Sequence, residues 1–159
     1  MDHTLALKLR RLVTSRSTAA LGTLHSGAPF VSMVPYALLD DGATFVILVS
    51  ALAAHTHNML ADPRVSLLLC EAEQDDIQPQ ALPRVTVTGT AQQLSAGTSE
   101  SAAAKSAYLG RFPKAALLFN LGDFSLFAVK PSAVRFVAGF GQAYSLSPES
   151  FTKALQGIQ

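Results

Sequence analysis

The sequence predicts a mainly β fold, in which peripheral helices surround a small antiparallel barrel. From Thr18 onward, short apolar runs are separated by turn sequences such as HSGAP and LDDGAT, a pattern typical of strands joined in hairpins. Helical segments stand between some of these runs, so we expect helices outside the sheet. No repeat or shift in composition divides the chain, which predicts one domain over residues 1–159.

The first half of the chain predicts two helices and three strands. Leu5, Leu9 and Leu12 recur at helical spacing and predict a short amphipathic helix. The runs TAALGTL and FVSMVPYALL predict a hairpin, and TFVILV predicts a third strand. A short helix over residues 55–61 is expected to stop at Asp62-Pro63, because the residue before a proline disfavours helical backbone.

The second half of the chain predicts four more strands and further helices. RVSLLLC and PRVTVTGTAQQL are the fourth and fifth strands, separated by an acidic loop, and Gly89 marks a bulge or a close backbone approach. SESAAAKSAYLGRFP and KAALLFN are helical, whereas DFSLFAVK and SAVRFVAGF predict the last two strands. A closing helix begins with Ser147 as N-cap and Pro148 at its first position.

Composition excludes several classes of function. A net charge of +1 gives no support for nucleic-acid binding, which usually requires a basic face. No apolar run approaches the roughly 20 residues that cross a membrane, and no signal-peptide pattern opens the chain. The lone Cys70 excludes an internal disulfide framework and fits a reducing compartment. We therefore expect a cytoplasmic protein with 49% hydrophobic residues, enough for a core and an oligomer interface.

The stretch VSALAAHTHN, residues 49–58, gathers polar side chains in an otherwise apolar segment. A metal site, an anion site and a solvated connection are the three alternatives. His55 and His57 are two residues apart, which places them on nearly opposite faces of a helix, while His3 and His25 are isolated. We therefore predict no metal site.

The stretch fits an anion site better. A strand ends at Val49 and a helix follows, so free backbone N–H groups and the positive helix end converge. Ser50 and Thr56 add hydroxyl donors, and His55 adds a ring N–H. Capping without any ligand remains the alternative. No serine elbow or carboxylate pair is present, so redox or other chemistry would belong to a cofactor.

The run S-x-L-A-x-H-T-x-N at residues 50–58, followed by DPR and later by GFGQA, resembles the pyridoxamine 5′-phosphate oxidase-like FMN-binding split-barrel superfamily. The branch related to haem-utilisation proteins is the most similar. PRVTVTGTA, YLGRFPKA and DFSLFAVKP continue the resemblance in the same order. It implies an antiparallel split barrel of six or seven strands that forms a homodimer with FMN at the subunit interface.

The resemblance also assigns cofactor contacts. Arg84 falls where the oxidases carry a glutamine that touches the flavin, and Phe140 and Gln142 of GFGQA fall on the substrate side. The remaining positions are on two strands and the start of the short helix: Ser32, Met33, Val34, Pro35, Leu48, Val49, Ser50, His55 and Thr56. Without a ligand, Phe140 would be a core residue, and His57 and Asn58 would be exposed or capping residues.

Departures from the oxidases qualify what the resemblance implies. Ser32, Ala37 and His55 stand where the oxidases have basic residues, so we expect weaker FMN binding, since a phosphate carries close to two negative charges. The basic C-terminal substrate pattern is missing, which argues against pyridoxal phosphate synthesis. No histidine follows His57, which argues against haem cleavage.

Three hypotheses about function follow. The first is a homodimeric FMN-dependent oxidoreductase whose substrate is unknown. The second, from a different class, is a haem- or flavin-binding module without turnover, which serves haem utilisation, storage or sensing. The third is a structural barrel whose cofactor site has decayed.

Overall fold

The computed structural model describes residues 1–157, and the last two residues of the predicted domain, 158–159, lie outside the described residues. The helices are α1 (His3–Ser15), α2 (Ala54–Ala61), α3 (Ser99–Arg111), α4 (Ala116–Phe119) and α5 (Pro148–Gln156). The strands are β1 (Thr18–His25), β2 (Ala28–Pro35), β3 (Ala37–Leu38), β4 (Phe45–Ser50), β5 (Arg64–Cys70), β6 (Arg84–Gln93), β7 (Phe124–Gly139) and β8 (Gln142–Leu146).

All strand pairs are antiparallel, and the strands follow the order β2-β1-β5-β6-β7-β4-β3, with β8 added beside β7. The prediction of an antiparallel barrel with peripheral helices is confirmed. The described residues form eight strands, whereas six or seven were expected, and β3 contributes only two residues. No helix within residues 1–157 has the length and apolar content to cross a membrane.

Alternation of side chains along the strands builds the main core. Alternate residues of β1, β5 and β6, among them Leu21, Leu67 and Val87, are buried on the inner face of the sheet. Helices α1 and α5 close this core with Leu9 and Phe151. The inner face therefore holds most of the buried apolar side chains.

A second apolar cluster lies on the other side of β4. Val46 and Leu48 pack there with Leu126 of β7 and with α3. Strand β4 is therefore covered on both faces, in keeping with its continuous apolar run FVILV.

The prediction of two final strands over residues 123–140 is wrong, because β7 runs without interruption from Phe124 to Gly139. Pro131 lies inside it, opposite Gly89 at the register shift in β6. On its other side, β4 pairs only as far as Val129 and β8 begins pairing at Val134. The missing N–H of the proline therefore lies where no ladder bond is required. Strand β8 was not predicted; it is short and mostly exposed.

The bulge predicted at Gly89 is confirmed by the register shift between Thr88 and Gly89. A Cβ atom at Gly89 would lie 2.2 Å from the carbonyl oxygen of Lys130. The bulge brings the two backbones so close that only glycine fits there.

Candidate functional site

The candidate site is the start of α2, where the polar stretch of residues 50–58 meets β1, β2 and β7. Ser50 ends β4, and its hydroxyl accepts a hydrogen bond from the N–H of Leu52 (3.1 Å). The Thr56 hydroxyl donates to the Ser50 carbonyl oxygen (2.7 Å). The N-cap, Ala53, makes no side-chain hydrogen bond. Side chains on either side of the cap therefore fix the helix start.

A carboxylate lies beside this helix start. The Ser50 hydroxyl donates to Oδ2 of Asp123 (2.9 Å), and the N–H of Ala51 donates to the Asp123 carbonyl oxygen (2.7 Å). Asp123 directly precedes β7, whose first residue, Phe124, pairs with Ser50. The hydroxyl predicted to bind a phosphate is therefore engaged with a negatively charged group.

His55 and Ser32 meet at the inner side of β2. His55 Nδ1 lies 3.0 Å from the Ser32 hydroxyl oxygen, and His55 is half-buried. Burial lowers the pKa of His55 below its usual value, because the charged imidazolium loses solvation. The structure thus brings two predicted site residues into contact and favours the neutral ring.

A second histidine is anchored by α2. His25, at the end of β1, has its Nδ1 3.1 Å from the side-chain oxygen of Asn58. The Asn58 amide nitrogen donates to the Thr23 hydroxyl (3.0 Å). Asn58 is only 3% exposed, so the expectation that it is an exposed or capping residue is wrong. His57 is exposed, as expected.

The four predicted contacts on β2 divide between two faces of the sheet. Ser32 pairs with the buried Leu21 and faces inward, as does Val34. Met33 faces outward and is exposed, and Pro35 lies on the same outer side. Because side chains alternate along a strand, one ligand surface cannot touch all four side chains.

The two predicted contacts on β4 are both buried. Val49 packs in the main core, and Leu48 in the smaller cluster beneath α3. Their side chains therefore point to opposite faces of the sheet and are in contact with protein on both.

Arg84 and the GFGQ turn lie away from α2. The Arg84 guanidinium donates to the carbonyl oxygens of Gln80 (3.2 Å) and Leu82 (3.0 Å), so it braces the loop before β6. Phe140 lies at the turn between β7 and β8 and is 80% exposed, so the core interpretation of Phe140 is wrong. Gln142 is also exposed, at the start of β8.

A separate cleft of about 780 Å³ lies between α3 and the ends of β6 and β7. Its wall includes Lys105, whose amino group lies 4.9 Å from the centre of the Phe119 ring. None of the residues predicted to bind a cofactor lines this cleft. Residues 1–157 hold no group of three or more His, Cys, Asp or Glu side chains that could share a metal ion.

Four interactions of this region were not predicted, namely those of Asp123 with Ser50 and Ala51 and those of Asn58 with His25 and Thr23. The partners are distant along the chain, since Ser50 and Asp123 are 73 residues apart and His25 and Asn58 are 33 apart. In the sequence, LGDF has the composition of an ordinary turn. Only the pairing of β4 with β7 brings Asp123 to Ser50.

Comparison with known proteins identifies relatives over most of the chain. The chain is 38% identical over 125 residues to the non-canonical heme oxygenase HOZ, chloroplastic, of Arabidopsis thaliana; the alignment covers 79% of this chain and 36% of that protein. It is 33% identical over 143 residues to the heme oxygenase HutZ of Vibrio cholerae, in an alignment that covers 88% of this chain and 80% of HutZ.

A solved structure shows the same fold. The heme binding protein from Mycobacterium smegmatis superposes with a TM-score of 0.82 at 33% identity, over 93% of this chain and 60% of that one. This chain therefore spans about a third of the plant protein and three fifths of the mycobacterial one.

A family model described as pyridoxamine 5′-phosphate oxidase matches residues 5–138. The match covers the sheet up to the last residue but one of β7. The three relatives named above carry the word heme in their names. The resemblance found in the S-x-L-A-x-H-T-x-N run is thereby confirmed. The chain belongs to the pyridoxamine 5′-phosphate oxidase-like split-barrel superfamily, in the haem-related branch that contains HutZ and HOZ.

Proposed function

We propose that this protein binds haem, as a homodimer, and that FMN is not its physiological cofactor. Its relatives support the proposal: two proteins at 38% and 33% identity are named heme oxygenases, and a structure at 33% identity is named a heme binding protein. This favours the second of the three hypotheses over the flavin-dependent oxidoreductase.

The hydrogen bond between Ser50 and Asp123 is the main structural observation that favours haem over FMN. A flavin phosphate brings close to two negative charges, and a carboxylate bonded to the intended donor repels it. Thr56 offers no replacement, because its hydroxyl is buried and donates to the Ser50 carbonyl oxygen. The two hydroxyl donors that the flavin hypothesis assigns to the phosphate are thus occupied within the chain.

The lack of positive charge at the site also favours haem over FMN. The lowered pKa of His55 favours the neutral ring near pH 7, so His55 supplies no full positive charge. Arg84 donates to two loop carbonyl groups instead. A phosphate monoester would find little positive charge here, whereas haem binds through apolar ring contacts and a ligand to its iron as well as through its charged groups.

The homodimer is supported by an outer apolar face, which consists of Val31, Met33 and Leu68 with Ala20 and Gly22 between them. Val31, Met33 and Leu68 are 68%, 61% and 41% exposed. The register places Met33 beside Ala20 and Ala20 beside Leu68, so these side chains form a continuous row. Apolar rows of this kind on a sheet mark sites of protein association.

Two parallel ligand titrations test the proposal. The purified protein is titrated with haemin and, separately, with FMN, and absorbance is recorded for each. We expect a Soret band that saturates at one haem or fewer per chain, and no stoichiometric retention of FMN after dialysis. Retention of FMN without any Soret change would overturn the proposal and restore the flavin hypothesis.

Added ascorbate in air extends the same experiment. A stable Soret band indicates storage or transport of haem. Loss of the band with release of iron indicates haem breakdown, which is the activity in the names of HOZ and HutZ.

A further inference from the structure

His25 has a fixed orientation at an exposed position. It is the last residue of β1, at the hairpin with β2, and its ring reaches back to Asn58 on α2. Asn58 and Thr23 are both buried, so the groups that hold the ring belong to the interior. His25 itself is exposed to solvent.

The hydrogen bonds determine which ring nitrogen carries the proton. The Asn58 amide nitrogen donates to the Thr23 hydroxyl, which places the Asn58 side-chain oxygen toward His25. An amide oxygen only accepts hydrogen bonds, so Nδ1 of His25 must be the donor. In the neutral ring, Nε2 then holds a lone pair.

We propose that Nε2 of His25 is the ligand of the haem iron, an inference that rests on the proposed function. A histidine that binds a metal typically donates its other ring N–H to a carbonyl or carboxylate oxygen, which fixes the tautomer and orients the ring. The hydrogen bond between His25 Nδ1 and the Asn58 side-chain oxygen provides this orientation before any metal is bound. Haem needs only one protein ligand, so the lack of a three-residue metal cluster among residues 1–157 does not conflict with it.

An apolar neighbour is present on the same side of the sheet. Phe30 pairs with Thr23, so its side chain lies on the same face as His25, at the diagonal position of the hairpin. Phe30 is 37% exposed. Its ring can therefore contact a porphyrin whose iron is bound by His25.

The other histidines of the region are less well oriented to bind iron. His55 is half-buried, and its partner is a serine hydroxyl, which can donate or accept and so fixes no tautomer. His57 is exposed on α2, next to Asn58 in the sequence. His57 is therefore a matched control, because it is the same residue type, is also exposed, and lies one residue from the group that orients His25.

The test compares the haemin complexes of the wild-type chain, His25→Ala, His55→Ala and His57→Ala by resonance Raman and electron paramagnetic resonance spectroscopy. In the wild type and His57→Ala we expect an iron–histidine band in the ferrous state. In His25→Ala we expect its loss, and its return when imidazole is added. His25→Gln is a second variant, and a circular dichroism spectrum like that of the wild type excludes misfolding as the cause.

The outcomes separate the two proposals. If the wild type binds haemin and His25→Ala keeps the iron–histidine band without imidazole, the assignment of His25 is overturned while haem binding stands. If the wild type gives no Soret band, haem binding fails, and the assignment of His25 fails with it. If the band is lost only in a His55→Ala variant, the assignment is again overturned and His55 is the ligand instead.

Discussion

Ser50 and Asp123 are joined by a hydrogen bond of 2.9 Å between the end of β4 and the residue before β7. The bond links two segments that are 73 residues apart, and it places a negative charge at the start of α2. In the sequence alone, the same helix start has the donors of a phosphate site. The carboxylate changes which ligands that site favours.

Removal of this charge is expected to strengthen FMN binding. Asp123→Asn keeps the size of the side chain and an oxygen that accepts from Ser50. Loss of one like charge a few ångströms from a phosphate is worth about 1 kcal/mol in a solvated site, or roughly a fivefold gain in affinity. Equilibrium dialysis with FMN measures it. Asp75→Asn, in the exposed loop before β6, is the control, and equal affinities for both variants and the wild type would contradict the prediction.

Stability is expected to fall in mild acid because of His55. Burial lowers its pKa in the folded state from the usual value of 6.5. Below about pH 6.5 the unfolded chain binds a proton that the folded chain resists, so the free energy of unfolding falls as pH decreases through this range. Urea unfolding at pH 7.5 and pH 5.5 measures the loss. We expect a smaller loss in His55→Gln, and an unchanged loss in the control His57→Gln.

The outer apolar face is expected to form the dimer contact. Met33→Glu places a charge at the β2 end of the row, next to Ala20. Burial of an unpaired charge at an interface is strongly unfavourable, so the variant should be monomeric. Light scattering coupled to gel filtration gives the mass. Leu117→Glu, at an exposed position on α4, should leave a dimer intact, and a monomeric wild type would refute the assignment.

Two glycines are expected to respond oppositely to alanine. Gly89→Ala forces a Cβ atom into the Lys130 carbonyl group and should lower the free energy of unfolding by about 3 kcal/mol. Gly110 lies in α3, and a Cβ atom added to it would have no neighbour within 4 Å, so Gly110→Ala should raise this free energy by about 0.5–1 kcal/mol. Urea unfolding followed by circular dichroism checks both signs. A loss on Gly110→Ala comparable to that of Gly89→Ala would show that the close approach at the bulge is not the cause.

Local signals explain which elements could be predicted from the sequence. The hairpin of β1 and β2 turns at Ser26-Gly27, where both residues have positive φ, and the sequence HSGAP marks that turn. The final helix is capped by Ser147, whose hydroxyl accepts from the N–H of Ser150 (3.2 Å) as predicted. In each case the residues that decide the structure are close neighbours in the chain.

The wrong predictions have a common physical cause: the residues concerned depend on partners that are distant in the sequence. Pro131 looks like a break in a strand, and only the end of β4 and the start of β8 show why a proline is tolerated there. Asn58 looks like a surface residue of a short helix, and it is buried because Thr23 and His25 satisfy its amide. Periodicity over a short window carries no information about such partners.

The position of β4 has a consequence for the order of assembly during synthesis. In the described part of the chain, β4 forms ladder hydrogen bonds only with the two residues of β3 and with β7, which begins 74 residues after Ser50. On a translating ribosome, β1, β2, β5 and β6 can pair with one another before β7 exists. Strand β4 lacks its long-range partner until β7 has been synthesised, because strands that are distant in the sequence pair more slowly than neighbouring strands. The nascent chain thus completes its helix–strand junction at Ser50 only after most of the polypeptide has emerged.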